Sequence, residues 1–402
     1  MIKTAEIVII GGGIIGCALA AELSKSVKNV VVIEKRGISE YASSSNFGMV
    51  WLQPRFAGYD ELAARRSMAI YEEKISEEFA IDIEYEKKGG LTVTFSEAQI
   101  EIMKKQCEEK RLQGIPLSLL NKEETRLLEP MISEKVEGAI YCEHDAQLNP
   151  MLTTMAFADL AKRRGAQILN GVSVIDIRTE GGKITSVLTS AGEISTRCVV
   201  NAAGSWSRDI AKMVNVNLPV FPQKLQGIVT EAVSPAVGRA VQVTRDLEEG
   251  MDPEKATGFL FVYDGEPTEE NLPKEPVEDT IFTFVQQTKS GTIVIGTTNE
   301  FVGFDVRTTP RALTSMLAKA ADAFPFISEL TMIRSWASLV PFTFDGSPVV
   351  GEVSELPGFY ISTGHGHAMS HAPAAAEHLA NKILNCVEIP EVSSIGFGRF
   401  KK

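Results

Sequence analysis

The sequence predicts an α/β fold in which one α/β domain, assembled from three separated segments, is interleaved with an α+β lobe built on an antiparallel sheet. Three observations predict it. An apolar strand at residues 5–10 runs directly into a glycine-rich turn and an alanine-rich helix. A strand-rich stretch at 166–203 is broken by glycine turns, and a glycine-rich end at 345–385 again couples a strand to a helix. Between these pieces, runs at 226–232, 280–287 and 292–298 supply antiparallel strands for the second lobe. The expected division is 1–84, 141–216 and 336–402 for the first domain and 85–140 with 217–335 for the second.

The first element carries the most information. Ile7–Ile10 leads into Gly11, Gly13 and Gly16, spaced G-x-G-x-x-G, and then into Cys17-Ala18-Leu19-Ala20. Gly11 permits a tight turn and Gly13 lets backbone approach a pyrophosphate. Gly16 lets the helix, whose N-terminus faces phosphate charge, pack on the strand; Ile14 and Ile15 open that helix. A second strand at 30–33 ends in Glu34, followed by Lys35; an acidic side chain here accepts from ribose hydroxyls and repels a 2′-phosphate, which disfavours NADP. The domain is therefore Rossmann-like. The motif alone leaves NAD and FAD both open.

Next comes a loop of small hydroxylated residues, Ser43, Ser44 and Ser45, closed by Asn46, Gly48 and Met49, able to donate several hydrogen bonds to phosphate and ring edges. Asn149 as N-cap and Pro150 at the first position start a helix running through Leu160 and Arg164. The alternation at 172–178, 184–189 and 194–200 predicts a β-meander. Asn201 leads into Ala202, Ala203, Gly204 and Trp206, small residues where backbone can lie against a dinucleotide. A final strand at 358–362 delivers Gly364, His365, Gly366, His367, Ala368 and Met369, and a helix is expected to begin near Ser370, opened by Pro373. Residues 247–279, rich in Asp, Glu, Pro and Gly, read as a solvated excursion carrying one strand at 259–263.

Whole-chain properties narrow the function. A net charge of -12 over 402 residues opposes nucleic acid and anionic membrane surfaces, so a small ligand is expected. Five scattered cysteines without a C-x-x-C pair indicate reduced thiols, and neither a leader peptide nor a transmembrane segment is visible. A cytoplasmic location is expected.

On the fingerprint, 201–206, the stretch from Arg334 to Pro348 with Gly351, and 364–370, the chain resembles the D-amino-acid oxidase superfamily. That superfamily includes glycine oxidase, D-amino-acid dehydrogenase, the sarcosine oxidases and the flavin subunits of heteromeric proline, hydroxyproline and opine dehydrogenases. The resemblance implies non-covalent FAD in a glutathione-reductase-like domain with β-meander. Adenine would lie at the glycines and the flavin under the C-terminal loop, with Val174 added to the contacts above. It also implies hydride transfer from the carbon of an amino acid or secondary amine to flavin N5. His365 and His367 become candidate catalytic partners, and companion subunits are an alternative setting. No histidine stands at the Asn149-Pro150 helix start, so no covalent second flavin is expected.

Two features qualify this. His367 and His371 have the i, i+4 spacing of a metal pair, but no acidic or cysteine third ligand is near in sequence, so no metal is expected; His378 reads as helix surface and Trp336 as core. The family's W-x-G-L-R-P segment, whose arginine holds a carboxylate, reads here Trp336-Ala337-Ser338-Leu339-Val340-Pro341. Val340 takes the arginine's place, so either another cation does the job, with Arg55, Arg65, Arg66 and Lys224 as candidates, or the substrate differs from a simple small amino acid. Trp51, Gln53 and Arg55, directly after the flavin loop, are the expected substrate contacts.

Overall fold

The computed structural model describes residues 2–244, 281–387 and 389–400. The expected excursion at 247–279, with its strand at 259–263, lies outside the described residues. The first domain is a six-stranded sheet in the order Val349–Glu352, Phe359–Thr363, Val199–Asn201, Ile7–Ile10, Val30–Glu34, Gln167–Asn170, parallel except for the first pair. Its central strands Ile7–Ile10 and Val30–Glu34 are apolar runs because both faces are covered. Ile7 and Ile9 pack against the helices Ile14–Leu23, Pro150–Arg163 and Ala368–Asn385, while Val8 and Ile10 face Ile177, Ile184, Val187 and Ile194 of the meander.

The meander holds three strands, Val174–Glu180, Lys183–Thr189 and Gly192–Ser195. The single run expected at 194–200 is divided. Ser195 N bonds to Lys3 O, the chain turns at Thr196, and Val199–Asn201 enters the parallel sheet between Ile7–Ile10 and Phe359–Thr363.

The second lobe is an eight-stranded sheet ordered Met332–Phe342, Phe221–Ala232, Thr292–Thr298, Ile281–Gln287, Ala240–Val243, Gly90–Thr94, Gly138–Cys142, Leu117–Asn121. One pair, Ala240–Val243 with Gly90–Thr94, is parallel; the others are antiparallel. The helix Pro310–Ala323 covers one face through Met316 and Ala320. Gly138–Cys142 and Met332–Phe342 each run across a domain boundary expected from sequence, because their ladders continue past residues 140 and 335.

Asn149 caps its helix as its residue type dictates, Oδ1 accepting from Leu152 N at 3.2 Å with Pro150 at the first position. The last long helix begins at Ala368 rather than near Ser370, and Pro373 sits inside it rather than opening it. Pro373 has no N–H to offer the Met369 carbonyl, which accepts instead from Tyr71 Oη at 2.9 Å, and Ala374 N donates to Ser67 Oγ at 3.2 Å.

Candidate active site

Three chain segments far apart in sequence converge on one elongated cavity of about 490 Å³. At one end lies the first glycine turn. Gly11 has φ +116°, and a Cβ there would collide with the Ala202 carbonyl; a Cβ on Gly16 would collide with Gly11 O. Ile14 N donates to Ser43 Oγ at 2.9 Å, which satisfies one of the helix's free N–H groups. Glu34 accepts from Gly12 N at 2.7 Å on one oxygen and from Arg36 N at 2.8 Å on the other, and it lines the cavity with acceptor capacity left on both. Lys35 Nζ lies 3.3 Å from the centre of the Trp206 ring, and Tyr41 packs on the same indole. Val172 and Val174 complete this apolar wall.

The middle is shaped by the loop after Glu34. Asn46 Nδ2 donates to Ala42 O at 2.7 Å and its Oδ1 accepts from Gly48 N at 2.8 Å, closing a turn in which Gly48 has φ +65°. Ser43, Asn46, Gly48 and Met49 line the cavity. Ser44 and Ser45, expected beside them, line a second cavity of about 340 Å³ with Asn46, Gln286, Arg334 and Trp336. Phe47 sits in the wall nearby, its ring 5.5 Å from Trp336 and 5.8 Å from Phe284. Trp336 is therefore half-exposed at a cavity edge rather than core.

The far end is made by the C-terminal loop and the two longest strands of the eight-stranded sheet. Thr363 Oγ1 donates to Gly204 O at 3.2 Å and accepts from Ser207 Oγ at 2.9 Å, holding the loop against residues 202–206. Gly364 has φ +73°. His365, only 1% exposed, contacts Ser362 Oγ through Nε2 at 3.2 Å, while Nδ1 has no hydrogen-bond partner among the described residues. Burial, and then the neighbouring His371, hold the His365 imidazole well below its ordinary range; burial with Arg55 does the same for His367. Both are neutral at pH 7. Ala368 opens the helix, so its first N–H groups face the cavity with their partial positive charge.

The expected substrate contacts lie elsewhere. Trp51, Gln53 and Arg55 are buried and absent from the cavity lining. Asp145 draws them away: Oδ1 accepts from Leu52 N at 2.5 Å and Oδ2 from Gln53 Nε2 at 2.7 Å, while burial pushes its carboxyl up to about 6. Gln53 also accepts from Thr92 Oγ1, and Arg55 pairs with Asp60 at 3.2 Å. The other candidate cations are likewise engaged, Arg65 with Glu61, Arg66 with Glu377 and Lys224 with Glu300. His378 is half-buried with its ring 6.0 Å from Tyr59, not a surface residue. Gly16 stands behind the turn, outside the lining.

Sequence reasoning passed over Gln223, Leu225, Phe284, Thr297 and Asn299, which line the far end with Val340. Phe284 and Thr297 fall within strands expected from sequence, whereas Gln223, Leu225 and Asn299 lie just outside the runs expected at 226–232 and 292–298. The donor set fits a dinucleotide carrying a ring system: close-approach glycines and an acceptor carboxylate at one end, a helix N-terminus and unpaired buried polar atoms on His365 and Gln223 at the other.

The chain matches the family described as FAD dependent oxidoreductase (DAO) over residues 6–382. It is 26% identical to a glycine oxidase of Geobacillus kaustophilus over 367 residues, 90% of this chain and 87% of that one. It is 25% identical to an opine oxidase subunit from Rhizobium meliloti, covering 94% of this chain and 93% of that one. Among solved structures, L-proline dehydrogenase from P. horikoshii superposes with a TM-score of 0.83 at 26% identity, covering 98% of this chain and 97% of that one.

Proposed function

The chain belongs to the FAD dependent oxidoreductase (DAO) family, and on that premise we propose that it oxidises the C–N bond of an amino acid or secondary amine. FAD is its cofactor and supplies the hydride acceptor. The observation that carries the reading is the single cavity joining the glycine turn at Gly11 to the loop at Gly364–Met369. The names of the similar glycine oxidase, opine oxidase and proline dehydrogenase support the amine chemistry.

The chain's own groups divide the work. Gly11, Gly13, Ile14, Ile15 and Ser43 accommodate the pyrophosphate, Glu34 and Lys35 the ribose end, Val174 and Ala202 to Gly204 with Trp206 the wall beside it. Asn46, Gly48 and Met49 shape the middle, and the helix beginning at Ala368 stabilises negative charge at its first turn. His365 and His367, both neutral, offer or accept a hydrogen bond without adding charge. Leu225, Phe284 and Val340 keep the reacting end apolar, which favours the neutral amine from which hydride leaves.

The purified chain is tested by anaerobic addition of D- and L-amino acids, proline derivatives, sarcosine and opines while the visible flavin band is followed. Bleaching by one class supports the reading and identifies the substrate; bound FAD that no amine bleaches refutes it for the isolated chain. The similar opine oxidase chain is by name one subunit of its enzyme, which favours a second reading, a catalytic subunit acting with companions. Native purification that yields a complex with further chains, and amine turnover only in that complex, supports it.

A further inference from the structure

Gln223 is a buried amide with an unused donor. It lies in the strand Phe221–Ala232, is 7% exposed, lines the cavity, and its Nε2 has no hydrogen-bond partner among the described residues. Folds rarely leave such a group unpaired unless something that binds there supplies the acceptor. Its strand neighbours show the contrast. Lys224 Nζ pairs with Glu300 Oε2 at 2.9 Å and Gln226 donates to the other oxygen of Glu300, which Thr298 Oγ1 also reaches at 2.7 Å. Alternation along the strand therefore sends Lys224 and Gln226 toward the Glu300 carboxylate, one by ion pair and one by hydrogen bond, and Gln223 and Leu225 into the cavity.

The register adds the second observation. Gln223 stands directly opposite Val340 in the antiparallel ladder, and both line the cavity. At this level the two strands present one neutral amide and one apolar side chain, with Leu225, Phe284 and Leu339 around them.

We propose that Gln223 anchors the substrate, its Nε2 donating to an oxygen of the carbonyl or carboxylate group attached to the carbon that bears the amine. The inference rests on the amine-oxidation reading and names its substrate class: an α-amino carbonyl compound, held by a neutral N–H rather than by an ion pair. A neutral donor serves a free carboxylate and a carboxamide alike.

The test uses the FAD-loaded full chain and two planar probes that cannot be oxidised, pyrrole-2-carboxylate and pyrrole-2-carboxamide, titrated against the flavin absorption band. Wild-type protein is expected to bind both, with dissociation constants within about tenfold of each other. Gln223→Leu weakens both by roughly tenfold. The isosteric Gln223→Glu repels the carboxylate, weakening it by roughly 30-fold or more, yet accepts from the carboxamide N–H and leaves that probe within about threefold. Unchanged affinities in both variants, or no binding of either probe to wild type, overturns the proposal. The two readings fail separately. Amines that bleach the flavin equally well in wild type and Gln223→Glu remove only the role of Gln223. Probe binding that follows the expected pattern without any amine bleaching the flavin removes only the reaction.

Discussion

Asp60 Oδ1 lies 2.7 Å from His371 Nε2, so a carboxylate on the helix Tyr59–Glu77 grips the helix whose first turn lies under the C-terminal loop. Arg55, 2% exposed, completes the cluster at 3.2 Å. Burial alone would push the Asp60 carboxyl up, but Arg55 and the bond to His371 hold it well below the usual carboxylate range. Asp60→Ala leaves Arg55 buried without this counter-charge. It is expected to destabilise the protein by about 3 kcal/mol, read as a lower thermal midpoint, and to loosen FAD retention on gel filtration.

Gly11→Ala should yield folded protein with little bound flavin. The new methyl would meet the Ala202 carbonyl at a backbone φ of +116° that alanine avoids. The ratio of visible to ultraviolet absorbance after purification checks this, with circular dichroism to show that the fold persists.

Glu34→Ala removes the carboxylate that fixes Gly12 N and faces the cavity. FAD affinity measured by calorimetry on apoprotein is expected to fall roughly 10- to 100-fold, the range for a hydrogen bond to a charged group.

How much of this was visible in the linear chain differs by region. The glycine turn, Glu34 and the Asn149-Pro150 start were legible because each uses residues whose backbone or capping chemistry is local. Trp51, Gln53 and Arg55 were misplaced because adjacency to the loop does not say which way a chain turns. That was decided by Asp145, some ninety residues on, capturing Leu52 N and Gln53. Gln223 was invisible for a different reason. It falls before the run expected at 226–232, and only the ladder, which starts at Phe221, sets it against Val340 inside a cavity.

Acid should unfold the protein earlier than its carboxylates alone require. His365 has a folded-state pKa below the unfolded value of 6.5, so its contribution is fully present above pH 6.5. It is lost as pH falls toward the folded pKa, because the unfolded chain takes up the proton first. Each such histidine steepens the loss by up to about 1.4 kcal/mol per pH unit. His365→Gln should flatten the fall between pH 6.5 and 5.5, measured as urea midpoints of apoprotein against pH.

Val340→Arg places a guanidinium opposite Gln223. Preference for carboxylate over carboxamide substrates is expected to rise by roughly tenfold or more, because a charged fork distinguishes the two where a neutral amide does not. Steady-state kcat/KM for a matched acid and amide pair measures it.

Phe47 and Gly296 divide one volume between them. A side-chain carbon on residue 296 would occupy space now filled by the Phe47 ring, nearly 250 positions earlier in the chain. Neither position can drift alone. Enlarging residue 296 demands a smaller residue 47, while shrinking residue 47 opens the partition between the cofactor cavity and the chamber beside Trp336. A large residue at one of these sites therefore demands a small one at the other, so a single substitution at either calls for compensation across the wall.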